Sequence, residues 1–239
     1  MAFSSGFSPH PRISYANAAP TGTASEAEYV EIAVVERVDP ERLREDLDAA
    51  LPEGLDVVEV VEARTSDFAD RLQASRWRLE LPGVPVDELR ASCDAMWAAD
   101  AVEVERRTKA GLRTINVREA LLDLQVADLQ VPDLHVLDLQ GERAGGEETG
   151  TPRPAGDRDG GSGCAILRVV VRQVTPTVRP DDILTALRSV AGLSPAVPPQ
   201  VTREAQGPLG ADGVTIGDPF EQDRENRAEG NVLAPDTSP

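Results

Sequence analysis

The stretch RWRLELPGVPVDELRASCDAMW, residues Arg76–Trp97, predicts the unit around which the chain folds. In its first six residues polar and apolar side chains alternate, so that Trp77, Leu79 and Leu81 share one face, as in a β-strand. Pro82-Gly83 is a typical turn sequence. After the turn, apolar residues recur at three- and four-residue spacings, which predicts an amphipathic helix. These helix residues are Val86, Leu89, Cys93, Met96 and Trp97.

The chain after this helix predicts further strands and one more helix. Ala101–Arg107 and Ala165–Val171 have the two-residue period of strands, and Val201–Glu204 predicts a weak final strand. A helix is expected to begin at Pro180-Asp181-Asp182 and to end at Gly192. The order strand, helix, strand, strand, helix, strand is that of a ferredoxin-like module, which we assign to residues 65–206.

The first part of the chain predicts a smaller α/β module over residues 1–64. Glu28–Val35 alternates like a strand, and Asp39-Pro40 provides the cap and first residue of a helix. Leu55–Val61 is rich in β-branched residues and predicts another strand. The apolar face of the helix comprises Leu43, Leu47 and Leu51.

Two segments are predicted to be disordered, because they hold too few apolar residues to offset the entropy cost of ordering. They are an insertion at about residues 141–163 and an acidic tail over residues 207–239. Before the insertion, Leu121–Gln140 contains the triplet Asp-Leu-Gln three times. We expect an expanded hairpin or loop there, and a functional repeat is the alternative.

The composition is that of an acidic protein. The 239 residues carry a formal net charge of −18, which disfavours general attraction to nucleic acid or to an anionic membrane. We therefore expect no DNA binding and no membrane binding, although a local basic patch is compatible with this charge. The N-terminus lacks the basic start and apolar core of a signal peptide, so a cytoplasmic protein is expected.

The two cysteines, Cys93 and Cys164, lie far apart and form no CxxC motif. Each lies within an apolar stretch, so we expect free, buried thiols. Four thiolates hold an iron–sulfur cluster, and no second histidine lies at ligand spacing from His10. The sequence thus predicts neither a metal site nor any other cofactor.

Gly6–Ile32, GFSPHPRISYANAAPTGTASEAEYVEI, resembles the signature of the radical-SAM-linked protein family. Family members share a G-F-x-P-H-P-x-I-S segment, followed by a turn and S-E-x-E-Y. Weaker similarity runs through ALPEGLDVVEV, the Trp77 strand and RPDDILTAL, so that residues 3–208 are covered.

The resemblance implies a bacterial domain of unknown function that is fused to, or encoded beside, a radical SAM protein. That partner would bring the cysteines of its own cluster, and ribonuclease or ribosome genes often lie nearby. Family members begin with a strand and a basic helix ahead of the motif, whereas this chain starts almost at it. We therefore expect an α+β fold of two tandem ferredoxin-like α/β-sandwich modules, the first incomplete at its N-terminus, and an open reading frame that continues upstream.

The motif supplies three candidate binding residues, His10, Arg12 and Glu28. Prolines on both sides of His10 stiffen the backbone, so a loop that presents His10 and Arg12 can bind phosphate or donate a proton. The alternative is a loop packed against the helix that is missing ahead of the motif, with His10 capping backbone groups. Glu28 shares a strand face with Glu26, which suits acid–base chemistry or, more simply, a salt-bridged edge.

A basic cluster follows the Ala101–Arg107 strand and is a candidate for tracking an RNA backbone. Glutamates are interleaved with these arginines, and a solvated surface is the alternative interpretation. The candidate residues are Arg106, Arg107 and Arg113, with Arg168 and Arg172 on an expected neighbouring strand.

Three hypotheses for the function follow. The leading one is a non-catalytic accessory module that acts with a radical SAM partner, with RNA or a ribosomal component as substrate. The second is an RNA-processing or RNA-modifying enzyme in which His10 is the general acid or base. The third is a structural protein-interaction module.

Overall fold

The computed structural model describes residues 1–5, 8–108, 111–128 and 164–230. It is a mixed α+β structure, as the sequence predicts. In chain order the strands are β1 Ile13–Ala16, β2 Ala24–Ser25, β3 Tyr29–Ile32, β4 Ala74–Pro82, β5 Glu103–Thr108, β6 Gly111–Asn116, β7 Leu121–Asp128, β8 Cys164–Arg172 and β9 Gln200–Gly207. The helices are α1 Pro40–Ala50, α2 Val86–Ala98, α3 Val117–Ala120, α4 Pro180–Ala191 and α5 Glu221–Gly230, with a 3₁₀ turn at Phe68–Arg71.

A five-stranded sheet forms the centre of the structure, in the order β2-β9-β4-β8-β7. The four long strands are antiparallel to their neighbours, and β2 adds a short parallel edge to β9. The alternation in β4 directs Leu79 to the face where Leu167 of β8 also lies, and both are fully buried. Helices α2 and α4 cover this face with Leu89 and Leu187.

The structure confirms the predicted positions of the two helices α2 and α4. Helix α2 follows β4 directly, and α4 begins at Pro180. Gly192 ends α4 with a positive φ of 72°, a conformation that costs glycine little.

The strand predicted at Ala101–Arg107 is present as β5, but the prediction that it neighbours β8 was wrong. Glu103–Thr108 pairs with β6 in a separate hairpin, whereas the neighbour of β8 in the sheet is β7. The sequence pattern could not show whether β5 or β7 pairs with β8, because polar and apolar residues alternate in both strands. Strand β7 occupies the start of the Leu121–Gln140 segment; residues 129–140 and the predicted insertion at 141–163 lie outside the described residues.

The N-terminal part is less complete than predicted. Strands β1 and β3 form a two-stranded sheet, and β3 spans four residues only. Leu55–Val61 is not a strand, because no described strand lies beside it to pair with its backbone. Helix α1 has the predicted cap, in which Asp39 accepts hydrogen bonds from the amides of Glu41 and Arg42 at 3.1 Å. No residue of α1 is buried.

The predicted tail is folded in its first part. Leu209 and Ile216 form a β-bridge, and α5 begins at Glu221. The prediction of disorder over residues 207–239 was therefore wrong for residues 207–225, because a buried ion pair at Asp223, not an apolar run, fixes this segment. Residues 231–239 lie outside the described residues.

Candidate functional site

The loop that carries His10 is closed at its base. The amide of Ser4 donates to the carbonyl of His10 at 2.8 Å, and the amide of His10 donates to Ser4 Oγ at 3.1 Å. The side chains of His10 and Arg12 are exposed. Within the described part of the chain no side chain forms a hydrogen bond with the imidazole, so no acid–base pair is assembled there.

Glu28 belongs to a polar network around the buried side chains of Arg203 and Gln206. We call this network the motif anchor, and its members are Asn17, Ser25, Glu28, Arg203 and Gln206. Arg203 is only 1% exposed, and its guanidinium donates to the Glu28 carboxylate. It also donates to the carbonyl of Asn17 at 2.7 Å and to Ser25 Oγ at 3.2 Å. Gln206 Nε2 donates to the carbonyl of Ala27 at 2.6 Å. The anchor ties the sequence motif to β9.

The carboxylate of Glu28 balances the positive charge of the buried Arg203 in this anchor. Burial lowers the pKa of Arg203, and the Glu28 carboxylate opposes that shift. The Arg203 guanidinium also lies 5.4 Å from the centre of the Trp77 ring. Two of the motif residues, Ser25 and Glu28, therefore hold a buried cation in place.

A second buried ion pair fixes the C-terminal segment. Asp223 is 3% exposed and accepts hydrogen bonds from Arg71 at 2.7 Å and from the amide of Arg64 at 2.9 Å. Burial acts to raise the pKa of Asp223, but the hydrogen bonds from Arg71, Arg64 and Thr65 outweigh it and leave the pKa below its ordinary value. Phe220 packs against Tyr29 with ring centres 5.3 Å apart.

The structure does not bring the predicted arginine cluster together on one surface. Arg106 donates to Asp182 at 2.7 Å and to the carbonyl of Thr177 at 3.0 Å, so its charge is already paired. Arg113 lies opposite Arg106 in the hairpin, whereas Arg107 points to the other face, because successive strand residues alternate. Arg107 and Arg113 are exposed.

Arg168 and Arg172 lie elsewhere, on the face of the central sheet that α2 and α4 leave uncovered. Their strand, β8, pairs with β4 and β7 and not with the β5–β6 hairpin. On the same face, sequence reasoning missed Arg76 and Arg78 of β4, although the alternation that places Trp77 inside also places these two outside. A groove of about 270 Å³ lies there, and we call it the sheet groove. Its lining includes Arg76, Asp123, Gln125, Arg168, Val170 and Glu204.

The β1–β3 sheet has one apolar face that remains exposed, which we call the hairpin face: Ile13, Tyr15, Val30 and Ile32. Ile13 lies opposite Ile32, and Tyr15 lies opposite Val30, so the four side chains share this face. Tyr15 is 70% exposed and Val30 is 43% exposed. The alternation of polar and apolar residues was predicted from the sequence, but the exposure of the apolar face was not.

The described residues contain neither a metal site nor a membrane-spanning helix. No group of three or more His, Cys, Asp or Glu side chains is placed to hold a metal ion. None of the described helices has the length and apolar character needed to cross a bilayer. Cys93 is buried, as predicted, and burial raises its pKa to about 12, whereas Cys164 is only partly buried.

The structure is thus that of an α+β protein with one well-packed sheet-and-helix core and an open N-terminal hairpin. The chain belongs to the family described as "Uncharacterized protein conserved in bacteria (DUF2344)", whose model matches residues 1–180. That match includes the hairpin, the motif and the sheet up to β8. No curated protein and no solved structure matches the chain significantly.

Proposed function

We propose that this protein is a non-catalytic binding module whose N-terminal surface docks a radical SAM protein. One observation carries the proposal. Of the thirteen large apolar side chains that are exposed in the described part of the chain, eleven lie between Met1 and Val58. Exposed apolar patches of this kind are typical of protein-interaction sites.

The described residues cover both elements of this surface only in part. The hairpin face is exposed, and α1 has an apolar stripe of which no residue is buried. The β-prone segment Leu55–Val61 is not part of any described sheet, and Val58 is 87% exposed. A partner that adds a strand or helix here gains both apolar burial and backbone hydrogen bonds.

Charge favours a partner with a basic rim. Residues 1–64 contain thirteen acidic and five basic residues. Complementary charge steers association and excludes acidic partners. The radical SAM partner rests on the motif resemblance, and RNA or a ribosomal component remains its candidate substrate.

We further propose a ferredoxin-like topology for residues 65–206. The antiparallel order β9-β4-β8-β7, with α2 and α4 as the two crossover helices, supports this assignment. We also propose a cytoplasmic location, with which a buried Cys93 thiol outside any disulfide is compatible. A ferredoxin-like first module stays a prediction.

The proposal is tested by measuring binding of this chain to the radical SAM protein encoded beside it. Tyr15→Glu places a charge in the hairpin face and should weaken binding by at least about 10-fold, since buried aromatic residues dominate interface energies. Leu112→Glu is the matched control, because Leu112 is 64% exposed but lies on the β5–β6 hairpin. The proposal fails if the unmodified chain does not bind, or if both variants weaken binding equally.

A further inference from the structure

The face of the central sheet opposite α2 and α4 concentrates arginines on neighbouring strands. Arg78 of β4 lies directly opposite Arg168 of β8, an arrangement in which two like charges repel each other. Arg76 lies two residues before Arg78 and therefore on the same face. Such a cluster costs stability, and a bound anion would offset that cost.

The acidic side chains on this face do not satisfy the cluster. Glu204 lies 3.3 Å from Arg168 Nε and 3.8 Å from Arg78 Nε, so one carboxylate serves two guanidinium groups. Glu80 gives Arg78 a further contact at 3.4 Å. Arg78 Nε is nevertheless buried without a hydrogen-bond acceptor, and Arg76 forms no ion pair with any described residue.

Of these two arginines, Arg76 lines the sheet groove and Arg78 does not. Arg76 and Arg168 line it together, and Val170, which is 4% exposed, contributes an apolar side chain to its lining. Asp123 and Gln125 of β7 contribute hydrogen-bond acceptors to the same lining. The groove therefore offers cationic donors and separate polar acceptors.

We propose that the sheet groove binds the phosphate group of a ribonucleotide, with Arg76 and Arg168 as its donors. A phosphate has enough acceptor oxygens to bind two guanidinium groups at once, and its hydrogen bonds to arginine are strong because both groups are charged. The hydroxyl or amino groups of the same nucleotide donate to Asp123 and Gln125. The phosphate belongs either to an RNA chain or to a free nucleotide.

This site goes beyond the docking function and is independent of it. It lies on the central sheet, whereas the docking surface lies within residues 1–58. The net charge of −18 disfavours non-specific attraction of RNA, so binding requires the local arginines. Loss of this site would leave partner docking unchanged.

The test uses the full chain alone and three probes: a fluorescent single-stranded RNA 12-mer, uridine monophosphate and inorganic phosphate. Arg76→Gln combined with Arg168→Gln should weaken RNA binding by at least about 10-fold and reduce its salt dependence, because two phosphate contacts are lost. The matched control combines Arg107→Gln with Arg113→Gln, which removes the same charge from the exposed hairpin. Melting curves verify that each variant is folded, and Arg76→Lys with Arg168→Lys should restore part of the binding.

The outcomes separate the two sources of the phosphate. RNA binding that the nucleotide does not displace identifies the polymer as the ligand, and tight binding of uridine monophosphate identifies a free nucleotide. The proposal is overturned if the unmodified chain binds none of the three probes, if it binds inorganic phosphate alone, or if the hairpin variant loses as much affinity as the groove variant.

Discussion

Replacing Glu28 by Gln tests whether the sequence motif supports the fold or binds a ligand. The substitution preserves the size of the side chain but removes the charge that faces the buried Arg203. Three neutral acceptors remain, namely the Asn17 carbonyl, Ser25 Oγ and Gln206 Oε1, at 2.7, 3.2 and 3.5 Å. The loss is therefore that of one hydrogen bond between charged groups.

The expected destabilisation is about 2 kcal/mol in the free energy of unfolding. Breaking a fully buried ion pair costs about 3–5 kcal/mol. The Glu28 side chain is 42% exposed, so water replaces part of its contribution. The estimate therefore falls to about 1.5–3 kcal/mol, the value of a hydrogen bond to a charged group. For a chain of this size the melting temperature should fall by about 4–8 °C.

Urea and thermal unfolding, followed by tryptophan fluorescence, measure this effect, because Arg203 lies against the Trp77 ring. Glu26→Gln is the matched control: it removes the same charge two residues earlier, from an exposed side chain. It should change the unfolding free energy by less than about 0.5 kcal/mol. Equal stability of the two variants, with weaker ligand or partner binding by the Glu28 variant alone, would refute the structural role.

Three other outcomes are expected. Asp223→Asn should destabilise the protein by about 3 kcal/mol and accelerate hydrogen exchange over residues 208–225, because Arg71 loses its counter-ion. The control Glu221→Gln should do neither. Because the pKa of Asp223 is lowered, its contribution to stability is present above its ordinary pKa and should fade as the pH falls below it. In a Cys164→Ser variant, Cys93 should resist a thiol reagent at pH 8 until urea unfolds the chain, because the pKa of the buried Cys93 thiol is about 12. Rapid labelling of the native protein would contradict the burial of Cys93. Anaerobic reconstitution should yield no stoichiometric iron and sulfide, because two cysteines cannot supply the four thiolates of a cluster.

The core of the fold could be predicted because its signals are local. Trp77, Leu79 and Leu81 alternate over six residues, and the turn and helix after them follow at once. Strand β6 escaped prediction because Ile115 is its one buried side chain, so it has no apolar alternation. Leu55–Val61 is the opposite case, because its sequence favours a strand but it is not one in the structure. A segment of this kind forms backbone hydrogen bonds as a strand only beside a neighbouring strand.

The partners of the motif could not be predicted, because they are distant in sequence. Glu28 and Arg203 are separated by 175 positions, and no periodicity links them. The arginine cluster is a different case. Period-two alternation alone places Arg106 and Arg107 on opposite faces, so their separation could have been predicted from the strand assignment.

Order in the C-terminal segment has a cause that composition does not detect. A prediction of disorder counts apolar residues, and residues 207–225 have few. Asp223 compensates by accepting hydrogen bonds from Arg71, Arg64 and Thr65 at a site where it is 3% exposed. One buried carboxylate with several donors can thus fix a polar segment, and nothing in the local sequence distinguishes it from a solvated acid.

The two ends of the described chain are interdependent, although we predicted from the sequence a boundary between modules near residue 64. Strand β2 extends the central sheet beside β9, and Glu28 balances the charge of Arg203 on β9. Asp223 in turn binds the backbone at Arg64. Removing residues 1–64 would take away β2 and three acceptors of Arg203, namely the Asn17 carbonyl, Ser25 Oγ and the Glu28 carboxylate, and we expect it to destabilise the edge of the central sheet. Because Arg203 of β9 depends on Glu28, we expect mutations in the motif anchor to destabilise the central sheet as well as the N-terminal segment.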